Sequence, residues 1–133
     1  MTDDEFIRVF EAAMVPHDGW THEAHIRMAW IYFTREQSLS MAITKAGEGI
    51  RRLNETNGVE PELYHETVTG AFMRLVSLRI PELEGDWPQF RDAHPELFDK
   101  ESPILHRHYS KATLESEAAR VAFVAPDKTS FAP

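Results

Sequence analysis

Apolar residues recur three and four positions apart along most of this chain, and these stretches are interrupted by proline or glycine. In the first stretch, Phe6, Phe10 and Ala13 share one face of a helix before Pro16 breaks the pattern. The sequence has no convincing two-residue alternation, which is typical of a half-buried strand. The spacing therefore predicts an all-α fold.

Four main helices joined by short loops are predicted. Thr2 and Thr21 are the expected N-caps of the first two helices, and Ser38 and Ser40 are alternative starts for the third. Pro61 suits the first turn of the fourth helix, where a missing N–H is tolerated. The predicted helices cover about residues 2–14, 21–35, 38–55 and 61–80.

Shorter helices are predicted in the 87–109 region, and Ser110 is the expected cap of a last helix. From about residue 123 the chain contains prolines and should form an extended tail. A length of 133 residues is usual for one domain. Residues 1–133 are therefore expected to form a single helical domain, built as a compact bundle.

The formal charge is −8, from 14 basic and 22 acidic residues. Nucleic acids bind clustered Lys and Arg, so this balance argues against them and against an anionic membrane as partners. No cysteine is present, which excludes disulfides and thiolate ligands. The apolar run MAWIYF is too short to span a bilayer, and the start MTDDEF lacks a signal-peptide pattern. We therefore expect a cytoplasmic protein.

Histidines lie close together in GWTHEAHIRMAW, at the predicted start of the second helix. On an ideal helical wheel, His22 and His25 fall on the same side as the apolar Ile26. His65, in YHETVTGAF, falls on the same side as Phe72 in the fourth helix. All three histidines are therefore predicted to point inward, where an imidazole is costly unless it is hydrogen-bonded or bound.

One divalent metal ion bound by His22, His25 and His65 would satisfy all three rings. Imidazole is a good ligand for Zn, Fe, Ni and Cu, and Mn is a further candidate. Three protein ligands leave an open position for water or substrate, as in catalytic sites. The alternative is that these histidines are structural and hydrogen-bond to loop carbonyls.

Four other residues are candidates for a site around these histidines. Glu66 could act as a general base, although an acid is also favourable in the first turn of a helix. Tyr109 could offer its phenol to catalysis or could pack in the core with its hydroxyl at the edge. Trp20 and Thr69 could contact substrate; Trp20 could equally be a hydrophobic staple, and Thr69 could support His65.

The motifs WTHEAH, YHETVT, YS, AR and PD, in this order, resemble those of an uncharacterised family of small bacterial proteins. The resemblance covers most of the chain and implies no particular reaction. The chain is also loosely similar to the DinB-like metal-binding bundles, which are small helical proteins with a three-histidine site. It lacks their His-x-x-x-His pattern in a late helix.

The leading hypothesis from the sequence is a small metal-dependent enzyme that acts on an unknown small molecule by hydrolytic or oxygen-dependent chemistry. The alternative is a non-catalytic helical module that binds a ligand or forms a homodimer, with structural histidines. A third hypothesis is a metal-free enzyme in which one histidine is the general base.

Overall fold

The computed structural model describes residues 1–36, 38–80 and 85–132. In these ranges all regular secondary structure is helical, which confirms the all-α prediction. The α-helices are α1 (Asp3–Glu11), α2 (His22–Arg35), α3 (Leu39–Thr56), α4 (Glu66–Arg79), α5 (Trp87–Ala93), α6 (Leu105–His108), α7 (Lys111–Leu114) and α8 (Glu117–Val121). Short 3-10 helices lie at His17–Gly19, Pro61–Leu63 and Pro95–Phe98.

Side-chain caps fix the starts of the first three helices where the sequence predicts them. Thr2 accepts a hydrogen bond from the third residue of α1 at 3.1 Å, and Thr21 does the same for α2 at 3.1 Å. Ser38, rather than Ser40, caps α3 at 3.2 Å. Each cap satisfies one N–H that has no partner inside its helix.

The predicted start of the fourth helix near Pro61 is wrong, because α4 begins at Glu66. Residues Pro61–Leu63 form a separate 3-10 helix, and the backbone is extended at Tyr64 and His65. His65 is therefore the N-cap of α4 and not a residue within its first turns. Helix α4 ends at Arg79, and the predicted stop at Pro81 lies outside the described residues.

The predicted last helix is divided into two short ones. Ser110 caps α7 as expected, but α7 ends at Leu114 and Ser116 starts α8 with a cap of its own. Ser116 also donates its hydroxyl hydrogen to the carbonyl oxygen of Thr113 at 2.7 Å. These local hydrogen bonds compete with a continuous helix, which explains the break.

Helices α2, α3 and α4 pack against one another, and α1 packs against α2 and α3. The approach of α1 is close because Gly49 of α3 has no side chain: a Cβ there would lie 2.4 Å from the ring of Phe10. The largest fully buried side chains include Phe10, Ile26, Ile31, Leu53, Met73, Leu75, Phe90 and Tyr109.

The described residues after α8 form no helix, and they cross α4 and the residues before α7. Thr67 on α4 accepts from the N–H of Val124 at 3.1 Å, and the Tyr109 hydroxyl donates to the carbonyl oxygen of Val124 at 2.7 Å. Asp127 accepts hydrogen bonds from the N-cap residue of α7. Within the described ranges, no helix has the length and apolar character needed to cross a membrane.

Candidate functional site

His65 uses both of its ring nitrogens within the protein. Nδ1 accepts a hydrogen bond from the N–H of Val68 at 3.1 Å, and Nε2 lies 2.7 Å from the carbonyl oxygen of Leu114. A carbonyl oxygen only accepts, so Nε2 carries the proton and donates. A metal ion could bind this ring only after one of the two hydrogen bonds was broken.

His22 is exposed, so the prediction that it points into the core is wrong. As the first residue of α2, it lies at the helix end, where its Nε2 donates to the carbonyl oxygen of Leu97 at 2.7 Å. The ring makes edge contacts with Phe72 and Phe98, at centroid distances of 4.9 and 5.9 Å. The imidazole thus ties α2 to the 3-10 helix Pro95–Phe98.

His25 differs from the other two histidines in its hydrogen bonding. Its Nε2 is buried and has no hydrogen-bond partner among the described residues. Burial, with a smaller contribution from His22, lowers the pKa of His25 to about 4, so its ring is neutral near pH 7. Trp20 lies against the ring at a centroid distance of 4.8 Å, and His25 and Thr69 line a narrow cavity with room for about one water molecule.

The three histidines predicted to bind a metal contact different parts of the protein. His22 bonds to the segment after α5, His65 bonds to the end of α7, and His25 faces a small cavity beside α4. In the part of the chain that the structure describes, no three His, Asp or Glu side chains form a group that could hold a metal ion. The metal site therefore stays a prediction from the sequence.

A more open cleft lies between the C-terminal half of α3 and the loop that leads to α4. Its volume is about 530 Å³, and its wall includes Arg51, Asn54, Val59 and Tyr64. The guanidinium of Arg51 lies over the ring of Tyr64, with Cζ 5.0 Å from the ring centroid. We call these residues the Arg51–Tyr64 cleft.

Glu66 lies beside this cleft at the first position of α4. Its Oε2 accepts a hydrogen bond of 3.3 Å from Nη1 of Arg51. This is longer than the 2.7–2.9 Å typical of a charge-assisted hydrogen bond, so the pair is weakly held. The Arg51 side chain is about half exposed, which weakens the pair further.

The hydroxyl of Tyr64 is buried but has no hydrogen-bond partner in the described ranges. Burial is the main cause that raises the pKa of Tyr64 to about 12, and the carboxylate of Glu66 also raises it. Thr69 and Arg51 act in the opposite direction. Tyr64 is therefore protonated at neutral pH. Its O–H makes no hydrogen bond of good geometry in the described ranges, although the side chains of Thr69 and Glu66 are close enough to act on its pKa as hydrogen-bond partners.

The remaining predicted site residues are divided between this region and the core. Trp20 stacks on Phe10 at 5.2 Å and covers His25, while Thr69 is buried between His25 and Tyr64. Tyr109 is buried beneath the tail, where its hydroxyl is a structural donor. Its catalytic role, like that of Glu66, stays a prediction.

Two residues of the cleft, Arg51 and Tyr64, and the neighbouring Gly47 were not singled out as site residues from the sequence. The sequence did contain one signal. Gly47 lies in the interior of a helical pattern, where glycine destabilises a helix by roughly 0.5–1 kcal/mol relative to alanine. The structure supplies a reason for it, because a Cβ at Gly47 would lie 3.1 Å from the Tyr64 hydroxyl oxygen.

Comparison of the chain with protein-family models, curated proteins and solved structures found no match. The resemblance carried by WTHEAH and YHETVT therefore stays a prediction.

Proposed function

We propose that this protein binds a small molecule in the Arg51–Tyr64 cleft and does so without a metal ion. The volume of about 530 Å³ falls within the usual range of ligand sites. The observation that carries the proposal is the buried Tyr64 hydroxyl beside this cleft, which makes no hydrogen bond of good geometry among the described residues. An unsatisfied buried polar group costs about 1–3 kcal/mol, and a ligand acceptor would recover much of that loss.

The hydrogen bonds of the histidines support a metal-independent function. His65 has no free ring nitrogen, and His22 ties two segments together through Leu97. Both therefore already have structural roles. This agrees with the ligand-binding form of the alternative hypothesis from the sequence, in which the histidines are structural.

Ligand binding is tested by two-dimensional amide NMR of the whole chain with a library of small neutral, anionic and cationic compounds. We expect compounds that bind to shift amides of residues 47–66 selectively. Arg51→Met should reduce these shifts, because it removes a cation at the cleft wall. Arg52→Met is the matched control, because it removes the same charge at the next, exposed position. A library in which no compound shifts residues 47–66 would overturn the proposal.

A second experiment separates the proposal from the metal-enzyme hypothesis. Elemental analysis of protein purified without a histidine tag should find no stoichiometric Zn, Fe, Mn, Ni or Cu if the proposal is correct. The melting temperature should also be insensitive to these ions. One equivalent of metal that is lost in His65→Ala, but retained in a variant of the exposed His17, would support the metal site instead.

A further inference from the structure

Two hydrogen-bond donors of the cleft lie side by side against α3, where Gly47 has no side chain. The hydroxyl oxygen of Tyr64 lies 3.1 Å from the position that a Cβ of Gly47 would take, and Nη1 and Nη2 of Arg51 lie 3.6 Å from it. Both donors therefore surround one point on the helix surface. A Cβ at this position would press on the Tyr64 hydroxyl, which would have to move by a few tenths of an ångström, and would be in ordinary contact with Arg51.

These donors have few acceptors. Within the described residues, the guanidinium of Arg51 makes one hydrogen bond, the 3.3 Å contact with Glu66, and the Tyr64 hydroxyl makes none. Arginine has five N–H donors in a planar fork that matches the two oxygens of a carboxylate. The arrangement thus has an excess of donors that a planar oxyanion could satisfy.

The carboxylate of Glu66 occupies the guanidinium of Arg51 through a weak contact, in the way that a ligand carboxylate would. Among the described residues it is the one acceptor of Arg51, and its long, partly exposed contact can be exchanged for a better one. Two more carboxylates, Glu55 and Glu60, line the cleft, but neither forms an ion pair with Arg51 in the described ranges. They make a cationic ligand the main competing possibility.

We infer that the ligand of the Arg51–Tyr64 cleft carries a carboxylate, which binds to the guanidinium of Arg51 and the hydroxyl of Tyr64 in place of Glu66. This inference rests on the proposed function and specifies its ligand class. The guanidinium of Arg51 can only donate, and the Tyr64 hydroxyl can donate to the same oxygen, so together these groups favour an acceptor over an ammonium group. The apolar surfaces of Val59 and Pro61 would contact the body of the ligand.

Three probes of similar size but different charge test the inference: benzoate, benzamide and benzylammonium. Their dissociation constants are measured from the amide shifts of residues 47–66 at fixed pH and ionic strength. We expect benzoate to bind at least about tenfold more tightly than benzamide, since one hydrogen bond to a charged group contributes about that factor. Benzylammonium should bind more weakly than benzamide.

Four variants and one control, Arg52→Met, identify the groups responsible. Arg51→Met should weaken benzoate binding about tenfold or more, and Tyr64→Phe several-fold, whereas Arg52→Met should leave it unchanged. Gly47→Ala should weaken it by filling the space beside the donors, and the change should not impair helix formation. Glu66→Gln should tighten benzoate binding, because it removes the competing carboxylate; a purely structural Glu66 would not produce that gain.

The outcomes separate the inference from the proposed function. Equal binding of benzamide and benzoate in the cleft, or tighter binding of benzylammonium, overturns the carboxylate inference and leaves the cleft as a binding site. If library compounds shift residues 47–66 but benzoate does not, the inference alone fails. If neither the library nor the three probes shift these residues, both the inference and the proposed function fail.

Discussion

Tyr64 and His65 are neighbours in the chain, but their side-chain polar atoms differ in hydrogen bonding. Both ring nitrogens of His65 are hydrogen-bonded, one to the start of α4 and one to the end of α7. The hydroxyl of Tyr64 is buried without a partner in the described part of the chain. The hydrogen bonds of His65 stabilise the fold, whereas the Tyr64 hydroxyl is a group that we propose to bind a ligand.

The two histidines of α2 show the same difference. His22 donates to Leu97 at the helix end, whereas Nε2 of His25 is buried without a partner in the described residues. Residue type therefore does not tell which side-chain polar atoms are hydrogen-bonded within this protein and which have no partner among the described residues. The hydrogen bonds that each side chain makes do distinguish them, and four predictions test this comparison.

The largest expected effect is the contribution of His25 to the pH dependence of the free energy of unfolding. Its pKa is about 4 in the folded protein and 6.5 in the unfolded chain. Between these pH values the unfolded state binds more protons, so the free energy of unfolding falls as pH decreases from 6.5 to 4. We expect a loss of about 3 kcal/mol over this window, with no further loss from this group below pH 4.

Urea unfolding of the wild type and His25→Leu from pH 7.5 to pH 3.5 measures this effect. The variant should lose less stability on acidification, because other groups titrate equally in both proteins. His17→Gln changes an exposed histidine and should retain the wild-type profile. Identical profiles for the wild type and His25→Leu would show that His25 titrates normally.

The second effect is the loss of the two hydrogen bonds of His65. We expect His65→Ala to lower the free energy of unfolding by roughly 2 kcal/mol, about half from the helix cap and half from the bond to Leu114. His65→Asn can still cap α4 and should lose roughly half as much. Chemical denaturation of the three proteins tests this, and equal stability of His65→Ala and the wild type would contradict it.

A smaller effect is expected for His22, because its side chain is exposed and water can replace its bond to Leu97. His22→Ala should lower stability by about 0.5–1 kcal/mol, the net value of one ordinary hydrogen bond. The denaturation midpoint measures the change. A loss larger than that of His65→Ala would reverse the order that the structure predicts.

The smallest loss of stability is expected for Tyr64→Phe in the ligand-free protein. Removing a buried hydroxyl that has no partner should cause no loss of stability and should stabilise the protein, by up to the roughly 1–3 kcal/mol that an unsatisfied buried polar group costs. Tyr109→Phe is the matched control and should lose roughly 1 kcal/mol, because the Tyr109 hydroxyl donates to Val124. If Tyr64→Phe were as destabilising as Tyr109→Phe, its hydroxyl would have a structural partner.

Much of the helical architecture was predictable because its signals are local. Thr2, Thr21 and Ser110 are caps within three residues of the N–H groups they accept from, so sequence spacing identifies them. The start of α4 was not predicted correctly, because Pro61 begins a separate 3-10 helix and His65, an uncommon cap, takes the capping position. The wheel phase assigned to His65 failed for the same reason.

The candidate site was only partly predictable. Of the predicted site residues, Glu66 and Thr69 lie near Tyr64, and His25 lines a small cavity together with Thr69. The shared role of Gly47, Arg51 and Tyr64 depends on the packing of α3 against the loop before α4. Residue spacing within one helix does not contain that information.

The sequence by itself determined the helical class and most helix starts, since periodicity and caps act over a few residues. The tertiary structure alone decided which polar atoms are satisfied. His22 and His65 bond to carbonyl groups 75 and 49 residues away, and Tyr64 meets α3 where Gly47 leaves space. Such partners are brought together by packing. The spacing of the histidines therefore predicted a metal site, whereas the hydrogen bonds of the structure indicate Tyr64 as the candidate binding residue.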